Sequence, residues 1–258
     1  MNTTTVPATI APSTSSIYLR EAGYEFLRMW RTPSFAVPTM VFPGMFYILF
    51  GVLMAGRAGN ADVSRYMLAT YGVFGVMAPA LFGLGVSLAI DRERGFLTLK
   101  RVLPMPPGAY LFAKLAMAML FGLIIALMIM ALAATLGGVS LSASQWAMLL
   151  LVDTVGTLPF CALGLWVGSL VSGQAAPAVV NLIYLPMAFL SGLWLPLKML
   201  PAAIGALAPV WPSYHLAQLA LKVVGQDAGG STLVHIGALL AMTVVFYGLA
   251  WRRLSRPT

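Results

Sequence analysis

Apolar residues fill six long stretches of the chain, at about 34–56, 66–90, 109–136, 145–171, 174–195 and 232–251, and polar residues cluster between them. An α-helix rises 1.5 Å per residue, so roughly 20 apolar residues cross a hydrocarbon core of roughly 30 Å. The pattern therefore predicts an all-α integral membrane protein with six transmembrane helices, forming one domain over residues 16–258. The first stretch of sequence, MNTTTVPATIAPSTSS, has no basic leader and no early apolar run, so it does not read as a cleavable signal. Residues 1–15 are expected to form a mobile tail.

Three segments break the pattern. In 16–32, Leu19, Ala22, Phe26 and Trp30 recur at helical spacing, opposite Glu21, Glu25, Arg28 and Thr32, and Pro33 ends the run. This predicts an amphipathic helix lying in the membrane interface, directly before the first span. The second segment, DRERGFLTLKRVLPMPP at 91–107, sets Phe96, Leu99 and Leu103 on one side of a short helix and Arg94, Thr98 and Arg101 on the other. Pro104, Pro106 and Pro107 stop it. An apolar stripe on a helix outside the membrane needs a partner, either lipid headgroups or another protein. In the third, 191–215, Pro196, Pro201, Pro209 and Pro212 interrupt an otherwise oily run. It is expected to rise, dip back and return on the outer side, with no seventh crossing.

Charge then orients the chain. Only 9% of residues are charged, against 60% hydrophobic, where soluble domains carry roughly 25% charged. The lipid bilayer is thus the main solvent, and the net charge of +8 reports topology instead of nucleic acid. Six spans with the N-terminus inside place Arg20, Arg28, Arg31, Arg92, Arg94, Lys100, Arg101, Arg252, Arg253 and Arg256 in the cytoplasm. Arg57, Arg65, Lys198 and Lys222 lie outside. That bias favours both termini inside, in a multi-pass protein of the cytoplasmic membrane. Lys114, just within the third span, is expected to snorkel.

Little in the chain can do chemistry. The two histidines, His215 and His235, have no carboxylate or thiol at ligand spacing, so no metal site is expected. His215 is expected to be a hydrogen-bonded structural residue. No lysine stands in the G-x-x-x-x-G-K-[ST] setting of a phosphate-binding loop, so the chain cannot hydrolyse ATP by that route. Cys161 has no cysteine to pair with and reads as core. Asp153 sits about eight residues inside the fourth span. It either lines a cavity or is capped at a helix contact, by Thr154 or Thr157 among others. Gly164 and Gly168 form a GxxxG pair suited to close helix packing.

Taken together, these features resemble the membrane subunit, or permease, of ABC-2 type ABC transporters. The resemblance rests on Glu93-Arg94-Gly95 followed by Leu99, Lys100, Arg101, Leu103 and Pro104. It extends to the Pro-rich run from Ser191-Gly192 through Pro196, Leu200-Pro201, Pro209 and Trp211 to His215, and to the leading amphipathic helix. Phe96 followed by Thr98 departs from the shorter Gly-Thr-Leu run of many members. The resemblance implies a coupling helix at 93–103 that docks on a separate ATPase, with Phe96, Leu99 and Leu103 packing and Glu93, Arg94 and Arg101 orienting. Gly95 opens that helix. It further implies an outer gate at Gly192, Pro196, Pro201, Pro209 and Pro212 and a second permease copy, expected to form a homodimer; Asp153, by its depth in the fourth span, is the candidate for the substrate path. No cofactor is expected in this chain; ATP and Mg would be bound by the partner. The implied activity is ATP-driven export of a drug, antibiotic or lipid-linked molecule, so the chain is a transporter and not an enzyme. Polysaccharide export and ion-coupled secondary transport remain alternatives.

Overall fold

A computed structural model describes residues 13–55, 61–97, 99, 106 and 108–255. Every regular element among them is helical. Helix α1 (Thr14–Trp30) leads into α2 (Pro33–Met54), α3 (Ala61–Glu93), α4 (Ala109–Thr135) and α5 (Ala143–Leu170). The shorter α6 (Ala176–Leu190) follows. Then come a 3-10 turn (Leu197–Met199), α7 (Ala202–Leu207), a second 3-10 turn (Ala208–Val210), α8 (Pro212–Val223) and α9 (Thr232–Leu254).

Local chemistry sets the helix ends. Ser13 caps α1 through the Ser16 N–H, and Ser142 and Gln145 form a reciprocal capping box at the start of α5. Pro33 and Pro212 stand at first helical positions, where the missing N–H has no intrahelical acceptor anyway. Gly192 takes a positive φ of 78° just after α6 ends.

Helix α3 is the centre of the molecule. Its residues from Met67 to Leu81 are all buried, whereas α2 and α9 present most of their surface outward. At 33 residues, α3 is about 50 Å long. It is longer than a hydrocarbon core of roughly 30 Å, and Asp91–Glu93 stand at its C-terminal end. Its segment Pro79–Val86 is π-helical, a local widening often found at functional sites. There α5 comes very close. A Cβ on Gly164 would lie 2.8 Å from the Ala80 carbonyl oxygen, and one on Gly168 would strike the Gly85 carbonyl. The GxxxG pair thus lets two backbones touch, as its spacing predicts.

Three expectations change. The fifth apolar stretch, 174–195, forms only the 15 residues of α6. That is about 22 Å, so among the described residues five helices are long and apolar enough to cross by themselves, where six were expected. Helix α1 packs on α4 with Ala22, Glu25 and Met29 buried, while Leu19 and Trp30 of the predicted apolar stripe stay 68% and 45% exposed. Ala22 and Phe26 of that stripe do face inward, Phe26 against Phe121, and Glu25 of the opposite stripe turns in with them because it finds a cation inside. That cation is Lys114, which is 1% exposed and does not snorkel.

Candidate functional site

The charged run at the end of α3 is anchored one residue at a time. Three successive residues lie about 100° apart around a helix, so each faces a different neighbour. Asp91 faces α1 and α4. Its Oδ2 lies 2.9 Å from Lys114 Nζ and accepts from the Tyr110 hydroxyl at 2.9 Å. Its Oδ1 lies 3.4 Å from Arg28 Nη1. The Arg92 guanidinium donates to the carbonyls of Ser169 and Val171 at the C-terminal end of α5. These carbonyls lack intrahelical partners, and the helix dipole favours a cation beside them. Glu93 accepts from the Gly173 N–H at 2.6 Å, in the turn leading to α6.

Around Asp91 the charges form a closed set. Lys114 Nζ lies 2.7 Å from Glu25 Oε1 and donates to Ser87 Oγ at 2.7 Å. Arg28 Nη2 lies 2.7 Å from the same Glu25 oxygen. Two carboxylates thus balance two cations. Lys114, Glu25 and Asp91 are almost wholly buried, and Arg28 keeps its outer side in contact with solvent. Burial works against the Arg28 charge, but the Glu25 and Asp91 carboxylates outweigh it and raise the guanidinium above its ordinary value.

Just past these anchors, Arg94 and Gly95 form an exposed turn in which Gly95 takes a φ of 73°, easy only for glycine. Helical backbone resumes at Phe96, and the side chains of Phe96 and Leu99 are 42% and 55% exposed. Leu97 turns inward against the core. Arg101 and Leu103 lie outside the described residues.

Away from this end, a cavity of about 610 Å³ opens between α2, α3 and α6. Phe35, Phe42, Phe46, Phe74, Tyr184 and Trp194 line it, and no charged side chain does. Phe46 and Trp194 stack with centroids 6.0 Å apart, and Phe74 stacks on Tyr184 at 5.0 Å. Sequence reasoning missed this cavity, since its aromatic residues come from α2, α3, α6 and, with Trp194, the segment after α6, and no single periodicity joins them.

Asp153 lies elsewhere. It is 1% exposed, faces Gly72 of α3 and lines neither this cavity nor the polar cleft of about 500 Å³ around Asp62, Lys198 and Gln218. The Thr157 hydroxyl bonds the Asp153 backbone carbonyl, and the carboxylate Oδ1 has no partner among the described residues. The five residues of the expected gate partition the segment after α6. Gly192 accepts from the Tyr66 hydroxyl at 2.8 Å. Pro196 and Pro201 each precede a short helix, Pro209 lies within the second 3-10 turn, and Pro212 opens α8. Pro209 also accepts a hydrogen bond from His215.

Known proteins share this arrangement of sequence. YvfS of Bacillus subtilis (strain 168), named as a transport permease, is 26% identical over 232 residues, covering 90% of this chain and 94% of that protein. ABC transporter G family member 49 of Oryza sativa subsp. japonica is 27% identical over 189 residues, 69% of this chain. The match spans only 12% of that larger protein. Residues 22–224, from α1 to the end of α8, match the family described as ABC-2 type transporter, and the chain therefore belongs to the ABC-2 type transporter family.

Proposed function

We propose that this chain is the membrane subunit of an ATP-driven exporter, powered by a separate ATPase that docks on the segment beginning at Glu93. The observation that carries the reading is the three-way anchoring of Asp91, Arg92 and Glu93. A push on the exposed Phe96 and Leu99 reaches α1, α4, α5 and the start of α6 through direct hydrogen bonds. Arg94, Arg101 and Leu103 complete the docking surface, and the partner binds the ATP and Mg. The basic bias of this end supports placing it, with both termini, in the cytoplasm of an inner-membrane protein. Helix α6 completes a sixth crossing together with the Pro-broken segment that follows, and that segment gates the outer side.

A second copy of the chain completes the pathway as a homodimer. The charge-free aromatic cavity supports a hydrophobic or amphiphilic substrate, a drug, antibiotic or lipid-linked molecule.

The test is assembly. Arg94→Glu combined with Leu99→Glu should abolish co-purification of the co-expressed ATPase while the permease still reaches the membrane. Undiminished complex formation rejects the docking assignment.

A further inference from the structure

The two histidines meet at the end of the molecule opposite Asp91. His215 of α8 and His235 of α9 are 6% and 5% exposed, and their Nδ1 atoms are 3.0 Å apart. His215 Nε2 lies 2.9 Å from the Pro209 carbonyl. A carbonyl only accepts, so that nitrogen carries a proton, and Nδ1 of a neutral His215 is a bare lone pair. His235 must then donate through Nδ1–H. Its Nε2 then carries no proton; it is buried and meets no acceptor at full hydrogen-bond geometry, although the Gly229 carbonyl favours a proton on this ring. One chain of hydrogen bonds therefore ties the last span, α8 and the Pro-broken segment together.

We propose that this pair is a proton-sensitive latch, which holds α8, with the Pro-broken segment bonded to it through Pro209, against α9 while at least one imidazole is neutral and lets α9 part from them when both are charged. The outward placement rests on the orientation proposed above; the latch chemistry does not. A first proton can enter at the bare Nε2 of His235 and leave the Nδ1–H···Nδ1 bond intact. A second must occupy Nδ1 of His215, and two N–H groups then oppose each other at the same place.

Around the pair, the Gly229 carbonyl and Asp227 favour a charge on His235, while Lys222 and the second imidazole oppose it. On α8, Tyr214 meets both rings edge-on, with centroids 5.4 and 5.9 Å away. Lys222 is a cation tied to Asp227 at 2.7 Å and to the Gly230 carbonyl at 2.8 Å, and Asp227 is thereby engaged. From α3, Arg65 turns to the Ser140 carbonyl, and Asp62 lines the polar cleft. From α5, Asp153 faces Gly72, and Cys161 is buried. Burial lowers the readiness of His215 to take a proton, partly offset by the Pro209 carbonyl. The latched state is thus fully stabilised above the ordinary histidine value of about 6.5 and weakens as pH falls below it.

Distance measurement between spin labels tests this. Ala206→Cys on α7 and Leu233→Cys on α9, both at exposed positions, would be labelled in a Cys161→Ala background in lipid nanodiscs with EDTA. A narrow distance distribution at about pH 8 should be lost at about pH 4.5, on either side of the ordinary histidine value. His235→Asn should keep the narrow distribution at both, because an amide can donate to or accept from His215 and does not titrate. An unchanged wild-type distribution, or an equal response in His235→Asn, overturns the proposal. So does a wild-type distribution at pH 8 that narrows only when zinc replaces EDTA, which would make the pair a metal site.

Discussion

Replacing Lys114 by methionine keeps the stem and removes the ammonium that contacts Glu25, Asp91 and Ser87 at 2.7, 2.9 and 2.7 Å. Two nearly buried carboxylates would then share Arg28, whose side chain is 44% exposed and whose pull is correspondingly screened. Breaking a buried ionic set by removing one member costs about 3–5 kcal/mol, because the remaining charges stay desolvated. On the scale of soluble domains of this size, that is a drop in thermal midpoint of roughly 6–20 °C. Thermal unfolding of the purified protein in detergent reads it directly. The reasoning makes a second demand. Adding Glu25→Gln and Asp91→Asn to Lys114→Met removes the orphaned charges and should recover most of the loss. A single variant as stable as the parent, or a triple variant no better than the single, would refute the account of a balanced buried network.

Two further predictions concern packing. Gly168→Ala drives a methyl group into the Gly85 carbonyl; it should lower stability by about 1–3 kcal/mol, seen as an earlier thermal midpoint, while Gly237→Ala, with open space around it, should leave the midpoint in place. Gly72→Ala puts its Cβ 2.6 Å from Asp153 Oδ2 and should be destabilising alone but largely rescued by Asp153→Ala, a coupling that a double-mutant cycle measures; additive losses would show that the two residues do not press on each other.

Much of this was legible along the chain. Hydropathy is local, so the apolar stretches located the membrane-spanning helices, nearly to the residue for α4 (109–136 expected, Ala109–Thr135 found) and with ends displaced for α3 (66–90 expected, Ala61–Glu93 found). The spacing of Gly164 and Gly168 foretold a close helix contact. The charge cluster beginning at Asp91 marked the end of α3, and Phe96 and Leu99 just past it are exposed. The site itself was less legible. Glu25 read as part of a solvated stripe and Lys114 as a snorkelling cation, because a single sequence shows a charge but not its partner. Those two residues are 89 positions apart, and only the packing of α1 on α4 brings them together. The cavity assembles aromatic residues from α2, α3 and α6, whose rotation about their own axes no periodicity specifies. The histidine pair joins two residues that spacing alone assigned to no common site. Sequence by itself determined which segments leave water, since that depends on each segment's own transfer free energy. Tertiary structure decided which polar groups meet once they have left, since inside a low-dielectric interior every charge must find its counterpart across the fold.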